Sequence, residues 1–182
     1  MDRIGDWMQT YTGRKFWPLD PRANEIDIRD IAHSLAMQCR YAGHCENFFS
    51  VAEHSVLIAD HLDEQGQDAE TCLWGLLHDG EEAYLPDMIR PTKSSFPGYG
   101  DASAVVTLAI CERFGLPPLK PAVVKQADDR ILADEKEQNL RALKWDYEPG
   151  PALGVTLRFW RPAKAEIHFL NCFYRLRGRM GP

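Results

Sequence analysis

Apolar residues recur at three- and four-residue intervals through most of this 182-residue chain, and glycine or proline punctuates the runs. That pattern constrains the fold more than any other feature, because a stripe at this spacing is the buried face of a helix. Asp27 stands as an N-cap before Ile28, Ile31 and Leu35, which predicts a helix fading near Gly43. A second helix starts near Ser50, carries Val51, His54, Leu57, Ile58 and His61 on one face, and ends at Gly66. A third runs from Asp68 to Tyr84 with Cys72, Leu73, Leu76 and Leu77 inward. Residues 101–114 predict a fourth, ended by Gly115, Pro117 and Pro118. Pro121, in a first-turn position, opens a fifth through about Trp145, and Pro162 a last one to about Arg177. Residues 92–100 and 148–151 read as loop and turn, 155–160 as a short strand or an extended link, and 1–25 as irregular, broken by Gly13, Pro18 and Pro21. The expectation is an all-α bundle of about six helices forming a single domain over 1–182. Its core lies at about 26–146, with N- and C-terminal extensions packed on it.

The net charge of -6 limits the partners. An acidic chain does not attract a polyanion over its whole surface, so duplex nucleic acid is not expected. A small anionic substrate needs a local pocket of Lys and Arg. Five cysteines, an odd number with no C-x-x-C, point to reduced thiols. Residues 1–7 form no apolar run, and no stretch approaches eighteen apolar residues. These features predict a cytoplasmic protein with no membrane span.

His78 and Asp79 follow the apolar stretch 73–77. A carboxylate at the end of such a face needs a cation, a cap or a metal to offset its burial. His54 lies on the preceding helix and Asp128 near the start of the fifth. An antiparallel bundle can bring all four side chains to one interior point. Mixed His and Asp donors suit Mn, Fe, Co, Ni or Zn, with positions left open for water and substrate oxygens. Blander readings fit the other polar residues. His33, His61 and His168 are surface or satisfied core. His44, Cys39 and Cys45 lack the spacing of a zinc knuckle. Asp129 caps or pairs, and Asp134, Glu135 and Glu137 form a solvated acidic face. Phe16, Trp17, Tyr41, Phe96 and Tyr99 are candidates to stack on a base, with Arg14 and Lys15 beside the first two.

The segments SVAEHS at 50–55, HDGEEAYLPDMIRPTK at 78–93 and VKQADD at 124–129 resemble the HD-domain metal phosphohydrolases, whose pattern is H…HD…D in an all-α domain. Within that group the chain is similar to small bacterial 5′-deoxyribonucleotidases and phage-type dATP triphosphohydrolases, most specifically from about Arg40 to Glu137. The resemblance implies that 1–182 is a single HD domain. It implies His54, His78, Asp79 and Asp128 as ligands of one divalent ion (Mn, Co, Mg, Ni, Fe or Zn). It implies Glu82 and Asp87 as acids beside the scissile phosphate, and Lys93 and Arg40 as cations holding phosphate. Tyr41 stands where an indole often sits and is the candidate for base stacking. The implied activity is hydrolysis at the 5′-phosphate of a (2′-deoxy)ribonucleotide, as a monophosphatase or a (d)NTP triphosphohydrolase, without a covalent nucleophile. A non-catalytic nucleotide or metal sensor is one alternative. A signalling-nucleotide phosphodiesterase is another, although the extra ligands or attached regulatory domain usual there are not evident. A homo-oligomer is expected.

Overall fold

The computed structural model describes residues 3–93, 95–147 and 149–181, with Arg90 and Pro91 described by their backbone. The sequence readings at Ser94, in the loop, and at Glu148, in the turn, lie outside the described residues. Six helices of nine residues or more make up nearly half of the described residues: α1 (Ile28–Met37), α2 (Val51–Glu64), α3 (Ala69–Leu77), α5 (Tyr99–Phe114), α6 (Ala122–Asn139) and α7 (Pro162–Arg179), with a single helical turn, α4 (Arg90–Lys93), between α3 and α5. The all-α expectation therefore holds for the main architecture. No described helix is long and apolar enough to cross a membrane.

Side chains close the helix starts as the sequence predicts. Asp27 accepts from the Arg29 amide at 3.0 Å, Ser50 from Glu53 at 3.1 Å and Asp68 from Thr71 at 2.7 Å. Each satisfies an N–H that has no partner within its helix. Pro162 opens α7, and Gly115 ends α5 with φ 67°, a left-handed conformation that glycine adopts without penalty.

Several ends differ from expectation. The helix expected to fade near Gly43 stops at Met37, because Gln38 is extended and tied sideways. Its amide donates to the Glu82 carbonyl at 2.8 Å and accepts from the Asp87 N–H at 3.0 Å. A separate tight turn follows at 40–43, with Tyr41 and Ala42 at φ 58° and 51°. The third helix ends at Leu77, not Tyr84; the chain leaves it at Asp79 and continues as a 3-10 turn, Gly80–Ala83. The fifth ends at Asn139, not Trp145. Asn139 is held by Asn47, whose N–H it accepts at 2.8 Å, and the chain turns extended at Leu140. Pro121 is the cap of that helix and not its first turn. The 92–100 loop contributes Thr92–Lys93 to α4 and Tyr99–Gly100 to α5. Within 1–25, expected to be irregular, Met8–Gln9 pairs antiparallel with Lys15–Phe16.

Helix α2 packs on α3, and Gly75 permits the approach. A Cβ there would lie 2.6 Å from Leu62 Cδ1 and 3.3 Å from Ile58 Cγ2. α7 crosses α1, α2 and α3, and α6 lies against α2 and α3. One apolar core runs through them, with Leu35, Ile58, Leu73, Trp74 and Phe169 among its fully buried side chains. Phe16 belongs to this core: it has no exposed surface and stacks on Tyr84 at 3.9 Å, so it is not free to stack on a base. Residues 155–160 are the extended link of the two readings. Side chains answer part of their backbone, as where Gln138 accepts from the Leu157 N–H and donates to the Val155 carbonyl.

Candidate metal centre

Three helices deliver the four sequence-predicted ligands to one buried point. His54 lies one turn into α2, on its buried face. His78 caps the C-terminus of α3, where its carbonyl accepts from Lys120 Nζ at 3.2 Å. Asp79 is aimed inward by the break after that helix, and Asp128 comes from the second turn of α6. His54 Nε2 lies 3.3 Å from His78 Nε2, 3.3 Å from Asp128 Oδ1 and 3.7 Å from Asp79 Oδ2. His78 Nε2 lies 3.2 Å from Asp79 Oδ2 and 3.6 Å from Asp128 Oδ1. Ligands bound at about 2.1 Å around one ion stand about 3.0–3.4 Å apart along the edges of an octahedron or tetrahedron.

The tautomers make the fit specific. His78 Nδ1 lies 2.8 Å from the Gly75 carbonyl, which only accepts, so Nδ1 carries the proton. His54 Nδ1 lies 2.6 Å from Glu135 Oε1, a carboxylate that imposes the same tautomer. Both Nε2 lone pairs therefore face each other and two carboxylate oxygens. Such a knot of acceptors is stable only around a cation. Burial disfavours a charged His78, yet Asp79 and Asp128 raise it to about 10, the same demand for positive charge met by a proton. Burial would also raise Asp79 and Asp128; the two histidines hold both well below the usual carboxylate range. The cluster His54, His78, Asp79 and Asp128 can hold a metal ion.

The cluster opens on a cavity of about 430 Å³ whose walls include Arg40, Tyr41, Glu82, Asp87 and Lys93. All the sequence-predicted site residues except the two inner histidines thus border it. Arg40 reaches Asp79 Oδ2 at 3.8 Å and Glu135 at 3.3 Å. Lys93 Nζ lies 3.4 Å from Glu82 Oε1 and, like Arg40, points one cation at the cavity. Burial, reinforced by the charges of Asp79, Asp87 and Glu81, pushes Glu82 up to about 9. Burial also raises Asp87, against the pull of Arg40. Tyr41 borders the cavity, but its hydroxyl is bound to Glu135.

Two expectations need correcting. Asp134 and Glu135 are not on a solvated face. Asp134 is 3% exposed and accepts from the Leu153 and Gly154 N–H groups at 2.7 and 2.9 Å. Glu135 has no exposed surface and orients His54, Arg40 and Tyr41 together. A signal for Glu135 was present, because it stands seven residues, two helical turns, after Asp128 and so shares its face. Glu137 is exposed as expected. The cavity also has an apolar wall carrying Trp145 and Tyr147, which sequence reasoning did not single out. Of the other polar residues, Asp129 pairs with Lys125, His33 with Glu166, and His168 stacks on Trp160. Cys39 and Cys45 are free thiols with sulfurs 3.6 Å apart. Trp17 lies under the Arg3 guanidinium and Lys15 over Trp7, and Arg14 pairs with Asp27. Phe96 is exposed, and Tyr99 lies beneath Lys93.

No family model matches the chain. An uncharacterized protein of Rhodobacter capsulatus is 39% identical over 126 residues, covering 66% of this chain and 64%, under two thirds, of that relative. The uncharacterized protein YfdR of Escherichia coli K12 is 36% identical over 130 residues, covering 71% of this chain and 70% of YfdR. At that identity and coverage, the chain belongs to the same family as YfdR.

Proposed function

We propose that this protein is a divalent-metal-dependent phosphohydrolase acting on the 5′-phosphate or phosphates of (2′-deoxy)ribonucleotides, with the cavity over His54, His78, Asp79 and Asp128 as its active site. The observation that carries this reading is the pairing of an acceptor-only cluster with two cations, Arg40 and Lys93, on the wall of one cavity. The resemblance to HD-domain phosphohydrolases supports the same reaction class.

His54, His78, Asp79 and Asp128 would hold a divalent ion, which would supply Lewis acidity for a phosphate oxygen and for water. The chain's own residues do the rest. Arg40 and Lys93 hold the non-bridging phosphate oxygens and compensate their charge as the P–O bond breaks. Arg40 is prepositioned for this by Glu135, so little side-chain freedom is lost on binding. Glu82 and Asp87 carry protons. Burial raises both, Glu82 to about 9, which favours the protonated acid that a leaving oxygen needs. The apolar wall with Trp145 and Tyr147 suits the base and sugar.

The test incubates purified protein with Mn, Co, Mg, Ni, Fe or Zn and a panel of nucleoside mono- and triphosphates, scoring phosphate, pyrophosphate and triphosphate separately. Turnover with release of one of these products is expected, and the product identifies the bond cut. Asp79→Ala should lose both bound metal and turnover. No turnover of any nucleotide with any ion, or an active and metal-loaded Asp79→Ala, would refute the reading.

A further inference from the structure

The pair His78-Asp79 is followed, after Gly80, by Glu81 and Glu82, carried on the 3-10 turn 80–83. With Asp79 they form a second group of donors, in which one oxygen from each residue lies within 4.8 Å of the others. Ligands on a hard cation at about 2.0–2.6 Å can span about that distance. Glu81 is 6% exposed and Glu82 4%. One oxygen of each is engaged: Glu81 Oε1 accepts from Ser103 Oγ at 3.1 Å, and Glu82 Oε1 takes Lys93 Nζ at 3.4 Å. The other oxygens, Glu81 Oε2 and Glu82 Oε2, are buried with no hydrogen-bond partner. A buried carboxylate oxygen without a donor is strongly disfavoured, so two of them beside a third carboxylate call for a bound ligand.

We propose that Asp79, Glu81 and Glu82 hold a second divalent cation beside the first, with Asp79 bridging the two. The donor set identifies the ion. It contains oxygen alone, which suits a hard cation such as Mg or Mn, whereas the mixed His and Asp set next to it suits softer ions as well. The first set has two imidazoles and two carboxylates and binds the tighter ion. The proposal rests on the metal centre of the proposed function and refines its chemistry. With Glu82 as a ligand, Asp87 is the acid left at the cavity wall to carry the proton, and the Lys93 ammonium is displaced from Glu82 towards substrate.

Counting ions separates this inference from the reading beneath it. Metal-free protein is titrated with Mn²⁺ alone, with bound ion measured by equilibrium dialysis and by electron paramagnetic resonance. Two ions per chain are expected, the second weaker, with a spin-coupled Mn pair appearing as the second site fills. Glu81→Gln and Glu82→Gln should each keep the tight ion and weaken the second by about tenfold or more. Asp79→Asn should weaken both. Melting followed by circular dichroism identifies the folded variants, and either glutamine variant tests the site if the other does not fold. One ion at saturation overturns the proposal and leaves the first centre intact. A second ion that both glutamine variants bind unchanged, or two uncoupled Mn signals, also overturns it. No bound ion at all removes the metal centre itself.

Discussion

Glu53 and Glu135 have no exposed surface, and they flank the same histidine: Glu53 precedes His54 in sequence, and Glu135 meets it in space. Each also holds a non-glycine residue in the left-handed region, which costs about 1–2 kcal/mol and needs external support. Glu53 accepts from the N–H groups of Arg158, Phe159 and Trp160 at 2.6, 2.9 and 2.6 Å, and Phe159 has φ 51°. Glu135 binds the hydroxyl of Tyr41, which has φ 58°, together with Arg40 and His54. The difference lies in the donors. Glu53 serves backbone and fixes the course of the extended link before α7. Glu135 serves side chains and fixes the aim of one candidate metal ligand and two cavity residues. Burial pushes Glu53 upward despite three N–H donors, whereas at Glu135 Arg40 and His54 outweigh burial and hold it below the usual range. A buried acid therefore does not by itself mark a site; the chemistry of its donors does.

Removing Glu53 gives the largest expected loss of stability. Glu53→Ala leaves three backbone donors without a partner and frees the left-handed residue they support. Each buried donor left unpaired costs about 1–3 kcal/mol, so a loss of about 3–5 kcal/mol is expected in denaturant unfolding. The Mn²⁺ affinity of the folded protein should be unchanged. A loss below about 1 kcal/mol, or a fall in metal affinity, breaks the contrast between the two glutamates.

Glu135→Gln inverts that pattern. The volume is kept, but the charge that fixes the His54 tautomer and holds Arg40 is gone. Metal affinity should fall about 10–100-fold, with little change in unfolding midpoint. Turnover in the phosphatase assay should fall with it. Calorimetric titration with Mn²⁺ measures the effect, and an unchanged affinity would show that Glu135 is packing and nothing more.

This contrast marks how far the sequence is legible. Caps and helix breakers depend on neighbours a few residues away, which is why Asp27, Ser50, Asp68, Gly115 and Pro162 mark their ends correctly. His78 and Asp79 stood out because a carboxylate ending an apolar helix face needs a partner, and the H…HD…D resemblance joined His54 and Asp128 to them. The misread ends depend on distant partners. α1 stops where Gln38 ties to Glu82 and Asp87, and α6 stops where Asn139 meets Asn47. Asp134 and Glu135 look solvated within the run 134–137, because nothing local reveals that 153–154 fold over one and that His54 and Arg40 meet the other. The seven-residue step from Asp128 held a signal for the face of Glu135, which the reading of 134–137 as solvated passed over.

A partly buried counterpart with exposed partners sharpens the comparison from the other side. Asp27 caps α1 and pairs with Arg29 and Arg14, and its hydrogen bond to Arg29 leads in lowering it to about 2. Its donors are a backbone N–H and two guanidinium groups, a mixture of the Glu53 and Glu135 cases, but water screens them. Because its folded value lies below the ordinary value of about 3.9, the charge contributes stability above that pH, and the contribution is lost as pH falls through about 2. Asp27→Asn keeps a capping oxygen and removes the charge, so it isolates this term. After discounting for solvent the expected loss at pH 7 is about 1 kcal/mol or less. Thermal melts of the two proteins should differ by a few degrees at pH 7 and converge near pH 2, and 0.5 M salt should narrow the gap at pH 7 by about half. A gap that persists unchanged at pH 2 would assign the loss to cap geometry and not to charge, making Asp27 resemble Glu53, a residue whose value lies in the backbone it holds.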